Sequence, residues 1–303
     1  MATHHDHSHT DHFNTHNRSF AIAVILNIAF VIIEAVYGLL SGSLALLADA
    51  GHNLSDVMGL VMAWVASWLA SKAATYSKTY GLKKTTILAA LFNALILIAA
   101  VGGITWEAIQ RLTDPAEVAG LTVIVVAGIG VLINGATMLL FLKGQQGDIN
   151  IRGAFLHMAA DTAVSIGVVI SGLILMLTGF TWIDPVVSLI IAAVIFVGTW
   201  QLLKDSVNLA VDAVPKGIDP STVHARLENF PGVQTAHHLH IWALSTTENA
   251  LTVHLLKPDP EGDDQLINDI SAALAREFNI QHTTIQWERD DSKCPSNPLP
   301  PVT

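Results

Sequence analysis

Charge is what this sequence has least of. Only 13% of its 303 residues are Asp, Glu, Lys or Arg, where an ordinary soluble domain carries roughly 25%. That deficit argues against a soluble enzyme, and the high apolar content excludes a disordered chain. The basic side is the poorer one, with 15 Lys and Arg against 25 Asp and Glu, so there is no electrostatic footprint for nucleic acid. Cysteine is nearly absent, and the single Cys294 excludes an intrachain disulfide framework. Residues 1–17 lack both the Lys or Arg and the apolar run of a secretory signal peptide. Against these shortages stand an apolar share of 51% and fourteen histidines.

The apolar residues come in blocks long enough to cross a bilayer, for which about 20 helical residues suffice. Six spans are predicted near 18–40, 44–70, 85–111, 119–142, 153–178 and 184–208. Lys72, Lys78, Lys83 and Lys84 lie between spans 2 and 3, and Lys143 and Arg152 flank the loop between spans 4 and 5. The opposite loops carry only Arg111, beside Asp114 and Glu117. This asymmetry puts the Lys-bearing loops in the cytoplasm, and an even span count places both termini there as well. The expected division is a His-rich disordered tail over 1–17, a six-helix transmembrane domain over 18–210, a cytoplasmic metal-binding and dimerisation domain over 211–290, and a flexible tail over 291–303.

The last third reads as a soluble α+β domain. A helix is expected from Pro220 to Phe230, strands over 233–244, 250–256 and 282–288, and an amphipathic helix over 263–278 with Leu266, Ile270, Leu274 and Phe278 four apart. The order α-β-β-α-β is ferredoxin-like, a small sheet with its helices on one face. Strand alternation puts His238, His240 and Trp242 on one face of the first strand, and His237, Leu239 and Ile241 on the other.

Two of the apolar spans carry the same polar pair. Span 2 contains His52-x-x-x-Asp56 and span 5 contains His157-x-x-x-Asp161. Positions i and i+4 lie one turn apart on one helix face, so each span offers one imidazole and one carboxylate to the same side. Two such helices supply two nitrogens and two oxygens, a set that suits a tetrahedral divalent metal, with zinc the natural choice. Ionisable groups at bilayer depth cost at least ~2.5 kcal/mol each and normally line a pathway or pair with something; a bound dication would offset two carboxylates. Asp49 shares the face of His52 and Asp56, as a fifth ligand, as a partner that orients His52, or as a proton site, the last two being favoured. Glu34, within an apolar run, makes either an interhelical hydrogen bond or a station on an ion path.

Imidazole titrates near neutrality and cannot hold a proton and a metal on the same nitrogen, so such a site exchanges metal for protons. An intramembrane zinc hydrolase would need an open metal position and a general base, as in His-Glu-x-x-His, and no such motif occurs. The protein is therefore expected not to be an enzyme. A passive metal channel or a membrane-embedded metal sensor remains the alternative to an exchanger. His4, His5, His7, His9, His12 and His16 crowd the first residues and read as a loose metal-gathering tail.

The segment from Ser41 to Asp56, with Ala-Asp49-Ala-Gly-His52-Asn-Leu-Ser-Asp56 at its end, resembles the zinc-transporting branch of the cation diffusion facilitator family. So do His157-x-x-x-Asp161, Asp205-Ser-Val-Asn208, His240-Ile-Trp-Ala-Leu244 and Thr284-Ile-Gln286, and the likeness runs over about residues 15 to 290. It is strongest to bacterial zinc exporters. The resemblance implies a homodimer of six-span subunits in the bacterial inner membrane, moving Zn²⁺ outward against protons. It implies transport ligands at His52, Asp56, His157 and Asp161, and cytoplasmic ligands at His237, His254 and Glu288 with His282 nearby. It also implies a charge interlock between Lys84 and Asp212, half-buried near the membrane surface, with Lys83 as another partner. A metal site that some members carry between spans 2 and 3 is expected to be absent, because residues 71–84 contain no His, Asp, Glu or Cys.

Overall fold

A computed structural model describes residues 28–142 and 149–290. The His-rich segment over 1–17, the first ten residues of the expected first span, and the tail with Cys294 lie outside the described residues. Eight helices and three strands follow in chain order: α1 Ile28–Ser41, α2 Leu44–Ala70, α3 Thr85–Thr113, α4 Gly120–Phe141, α5 Ile149–Thr178, α6 Ile183–Ala210, α7 Pro220–Glu228, β1 Thr235–Ala243, β2 Asn249–Leu256, α8 Asp263–Phe278 and β3 Ile280–Glu288. Helices α2 to α6 are long and apolar enough to cross a membrane, while the described part of α1 is shorter. The chain divides into two compact units, residues 1–61 with 93–200 and residues 62–92 with 201–303, the cut passing through α2, α3 and α6.

In the first unit most buried residues are small or β-branched, among them Ala45, Ala48, Val101, Val123, Ala127, Val168 and Ile191, with Phe30 and Leu46 as larger members. Large apolar side chains point outward, among them Leu39, Trp106, Leu132, Leu177 and Val197. That inversion is expected where the surrounding solvent is lipid and helices associate through close contact. Gly172 shows the closeness: a Cβ there would sit 2.9 Å from Ile124 Cγ1 and 3.2 Å from the Gly120 carbonyl oxygen. Gly42, in the turn between α1 and α2, has φ of 69°, a conformation an L side chain rarely adopts.

The turn is fixed by a carboxylate from another helix. Asp184, in the first turn of α6, accepts from Ser43 Oγ at 2.5 Å, the Leu44 N–H at 2.7 Å and the Ala45 N–H at 3.4 Å. These amides open α2 and have no intrahelical acceptor, and their partial positive charge favours an anion. Arg111 Nη1 donates to the carbonyl of Gly42 from the end of α3.

In the second unit, α7 begins at an Asp219 N-cap followed by Pro220. The Ser221 and Thr222 hydroxyls and the Ser221 N–H donate to its carboxylate and hold it at about 2. Helix α8 ends at Asn279, whose left-handed conformation lets its N–H bond back to Leu274. The sheet order is β1-β2-β3, with β1 and β2 antiparallel and β2 and β3 parallel. A parallel pair needs a crossover, which α8 supplies. One sheet face packs Leu239, Ile241, Leu251, Val253 and Leu255 against Val223 and Leu227 of α7 and Ile270 and Leu274 of α8. Each such aliphatic side chain contributes roughly 1.5–3 kcal/mol by leaving water.

The simple alternation expected for β1 fails at one residue. The pairing register shifts between His237 and His240, and His238 has φ of 50°. This β-bulge inserts one residue and reverses the phase, so Ala236 is buried before it and Leu239, Ile241 and Ala243 after it. His237 therefore lies on the open sheet face, opposite to Leu239, and not beside it.

Candidate functional site

Three of the four ligands expected within the membrane meet. His52 and Asp56 on α2 and Asp161 on α5 each offer an atom within 4.8 Å of the others. His52 Nε2 lies 3.1 Å from Asp161 Oδ1, with the Asp161 side chain 2% exposed and that of His52 22%. The fourth, His157, stands one turn before Asp161 in α5, and its side chain lies outside the described residues. An imidazole and two carboxylates within apolar helices form a set that suits a cation.

Next to it is a polar layer that sequence resolved only in part. Glu34, Asp49 and Asn53 are buried, as is Ser165 on α5. Asn53 Nδ2 donates to Glu34 Oε2 at 3.1 Å, and Ser165 Oγ donates to Asp49 Oδ2 at 3.0 Å. The partners of Asp49 are thus Ser165 and Glu34.

A second cluster of candidate ligands occupies the open sheet face of the second unit. His237 and His254 are register partners across β1 and β2, and Glu288 closes β3. Glu288 Oε1 is 2.9 Å from His254 Nδ1, and Oε2 is 2.9 Å from His237 Nε2. The second contact is close without hydrogen-bond geometry, as expected where both atoms are directed at a shared third point. All three offer atoms within 4.8 Å of one another, and two nitrogens with a carboxylate fit zinc or a similar divalent metal. The His238 ring lies 4.9 Å from that of His254 and joins this group; alternation had put His238 on this open face but His237 on the other.

His282 does not join them. It lies six residues before Glu288 on β3, roughly 20 Å along an extended strand. Its Nε2 is 3.2 Å from both Glu248 Oε2 and Lys83 Nζ, and its ring meets Tyr80 edge-on. Lys83 Nζ is 2.5 Å from Glu248, which holds the Glu248 carboxyl below the usual range, helped by His282. Glu248 was missed in sequence because a lone acid in a strand-connecting turn carries no local signal. Lys84 pairs with Asp212, with side chains 43% and 58% exposed in the single chain. Asp184 was also missed, although a carboxylate opening an apolar span is a detectable anomaly.

Comparison with known proteins finds two domains that meet near residue 210, whereas the structural division assigns residues 62–92 to the second unit. The family description "Cation efflux transmembrane domain" matches residues 20–209, and "Cation efflux protein, cytoplasmic domain" matches residues 215–290. The chain is 36% identical over 283 residues to the metal cation efflux system protein CzcD of Cupriavidus metallidurans, covering 93% of this chain and 89% of that protein. It is 36% identical over 295 residues to the zinc transporter ZitB of Pectobacterium atrosepticum, covering 96% and 91%. It is 34% identical over 293 residues to a cadmium, cobalt and zinc/H(+)-K(+) antiporter of Bacillus subtilis, covering 94% and 92%. A solved metal-bound C-terminal domain of CzcD matches 23% of this chain and 99% of that one at 36% identity, with a TM-score of 0.22. Likeness of this extent, over both domains at once, makes the chain a member of the cation efflux, or cation diffusion facilitator, family.

Proposed function

We propose that this protein exports a divalent cation, with Zn²⁺ as its cargo, in exchange for protons across a bacterial inner membrane. The carrying observation is the meeting of His52, Asp56 and Asp161 inside helices otherwise apolar, with His157 as the fourth ligand. Two carboxylates at that depth need a countercharge, and a dication supplies it. When the metal leaves, the imidazole nitrogens are free to take protons, so each occupant displaces the other. The four-ligand set leaves no open position for hydrolysis, and the chain acts as a transporter, not an enzyme. The names of CzcD, ZitB and the Bacillus antiporter support this class of cargo.

Both termini face the cytoplasm, on the strength of the Lys-rich loops, and the outward-facing apolar side chains meet the lipid bilayer. The working unit is a homodimer, as in the resembled family, with Lys84 and Asp212 as its charge interlock. His237, His254 and Glu288 hold a resident Zn²⁺ in the cytoplasmic domain. Proteoliposomes carrying the full chain test the exchange. An imposed pH gradient should drive zinc uptake that a protonophore abolishes. Zinc flux indifferent to the pH gradient would make the protein a channel.

A further inference from the structure

The polar layer lies beside the cluster of His52, Asp56 and Asp161 without belonging to it, and its geometry is specific. Glu34 of α1 and Asp49 of α2 are both 0% exposed. Their carboxyl groups lie within hydrogen-bond reach of each other. Each has one oxygen served by a neutral donor, Asn53 for Glu34 and Ser165 for Asp49. The remaining oxygens, Glu34 Oε1 and Asp49 Oδ1, are buried and reached by no N–H or O–H among the described residues.

Among the described residues no Lys or Arg acts on either carboxyl, and His52 is the one basic side chain that does. His52 and Asp161 act on Asp49 through space from α2 and α5. Helix α4 has no charged residue and brings the buried Asn134, whose Nδ2 is also unpartnered. The helices converge closely here: a Cβ at Gly130 of α4 would lie 2.7 Å from Phe30 of α1 and 3.3 Å from Ser165 Oγ of α5. Two adjacent carboxylates without a countercharge cannot both be ionised in such a place. Two carboxyls that face each other through donorless oxygens form the arrangement in which a pair shares one proton.

We propose that Glu34 and Asp49 form a proton site of their own, apart from the metal ligands, that empties when the metal site fills. The inference rests on the exchange reading above. Asp49 stands three residues, about 4.5 Å of helix rise, from His52. A dication arriving at His52, Asp56 and Asp161 favours the ionised pair, so the shared O–H bond breaks and the proton leaves. Departure of the metal lets one carboxyl oxygen take a proton again. By reciprocity, a proton on the pair weakens metal binding by the same factor. Metal release is thereby tied to proton uptake at groups that never touch the metal.

The test uses the full chain in proteoliposomes, with zinc and internal pH recorded together for wild type, Glu34→Gln and Glu34→Asp. Glu34→Gln should move about one proton fewer per zinc and bind zinc with a shallower pH dependence than wild type, while Glu34→Asp keeps the wild-type ratio and slope. An unchanged ratio in Glu34→Gln would overturn the proposal. Wild-type zinc flux without any proton movement would instead overturn the exchange reading itself. A wild-type counterflux that falls when potassium is replaced by choline, with Glu34→Gln insensitive, would assign the site to a monovalent cation and overturn the proton site. Infrared difference spectra on zinc addition cover the case in which Glu34→Gln fails to assemble. Wild type should lose a protonated-carboxyl band that Asp49→Asn lacks, and a wild-type spectrum without that loss would contradict the proposal.

Discussion

At the scale of single residues, several polar groups inside the apolar unit have a traceable task. Asp184 takes the first amides of α2 as an anionic cap supplied from α6. Asp184→Ala should leave those buried donors unserved and destabilise the protein by about 1–3 kcal/mol, measured as reduced denaturant resistance in detergent. Asp184→Asn, which keeps an acceptor, should lose less. In the second unit, Glu288 bridges His237 and His254. Glu288→Gln should weaken zinc binding at that cluster by on the order of 10–100-fold or more in calorimetry, because even groups one layer out from a metal have effects of that size. The intramembrane pairs were legible in sequence because an i, i+4 relation is local and appears twice. Contacts such as Glu34 with Asp49 were not, because they depend on which helices become neighbours.

At the scale of elements, helix bounds were the most readable feature. Helix α8 runs from Asp263 to Phe278 as its four-residue apolar spacing predicts. The bulge at His238 was not readable: neither a glycine nor a turn motif marks it, and it appears only once β1 pairs with β2. It moved His237 to the face of His254 and Glu288, so the ligand cluster depends on an irregularity of the strand. The α4–α5 contact depends on the absence of a side chain at Gly172. Gly172→Val should force Ile124 and the Gly120 backbone apart, costing about 1–3 kcal/mol of stability. The Lys83–Glu248 pair ties the segment before α3 to the β1–β2 turn. The Glu248 carboxyl is held below its ordinary value, so its contribution is complete above the usual glutamate range and disappears as pH falls through the lowered value. With side chains 22% and 34% exposed, the contribution is about 0.5–1 kcal/mol. Glu248→Gln should therefore be slightly less stable than wild type at neutral pH, with the gap closing in acid; a gap that persists in acid would assign the effect to packing.

At the scale of the whole molecule, the composition announced a membrane protein, and the two His-x-x-x-Asp pairs pointed to the cargo site proposed above. The architecture follows from the same economy of charge: the few ionisable groups at depth gather at one locus on α1, α2 and α5 instead of scattering. The central claim is that His52, Asp56, His157 and Asp161 carry zinc and protons by turns. Paired zinc and proton fluxes in proteoliposomes of wild type and Asp161→Asn test it most directly. Loss of one carboxylate leaves a dication poorly neutralised, so both fluxes should fall together by at least tenfold, with the variant still inserted and dimeric. Wild-type fluxes of both ions in Asp161→Asn would contradict the account.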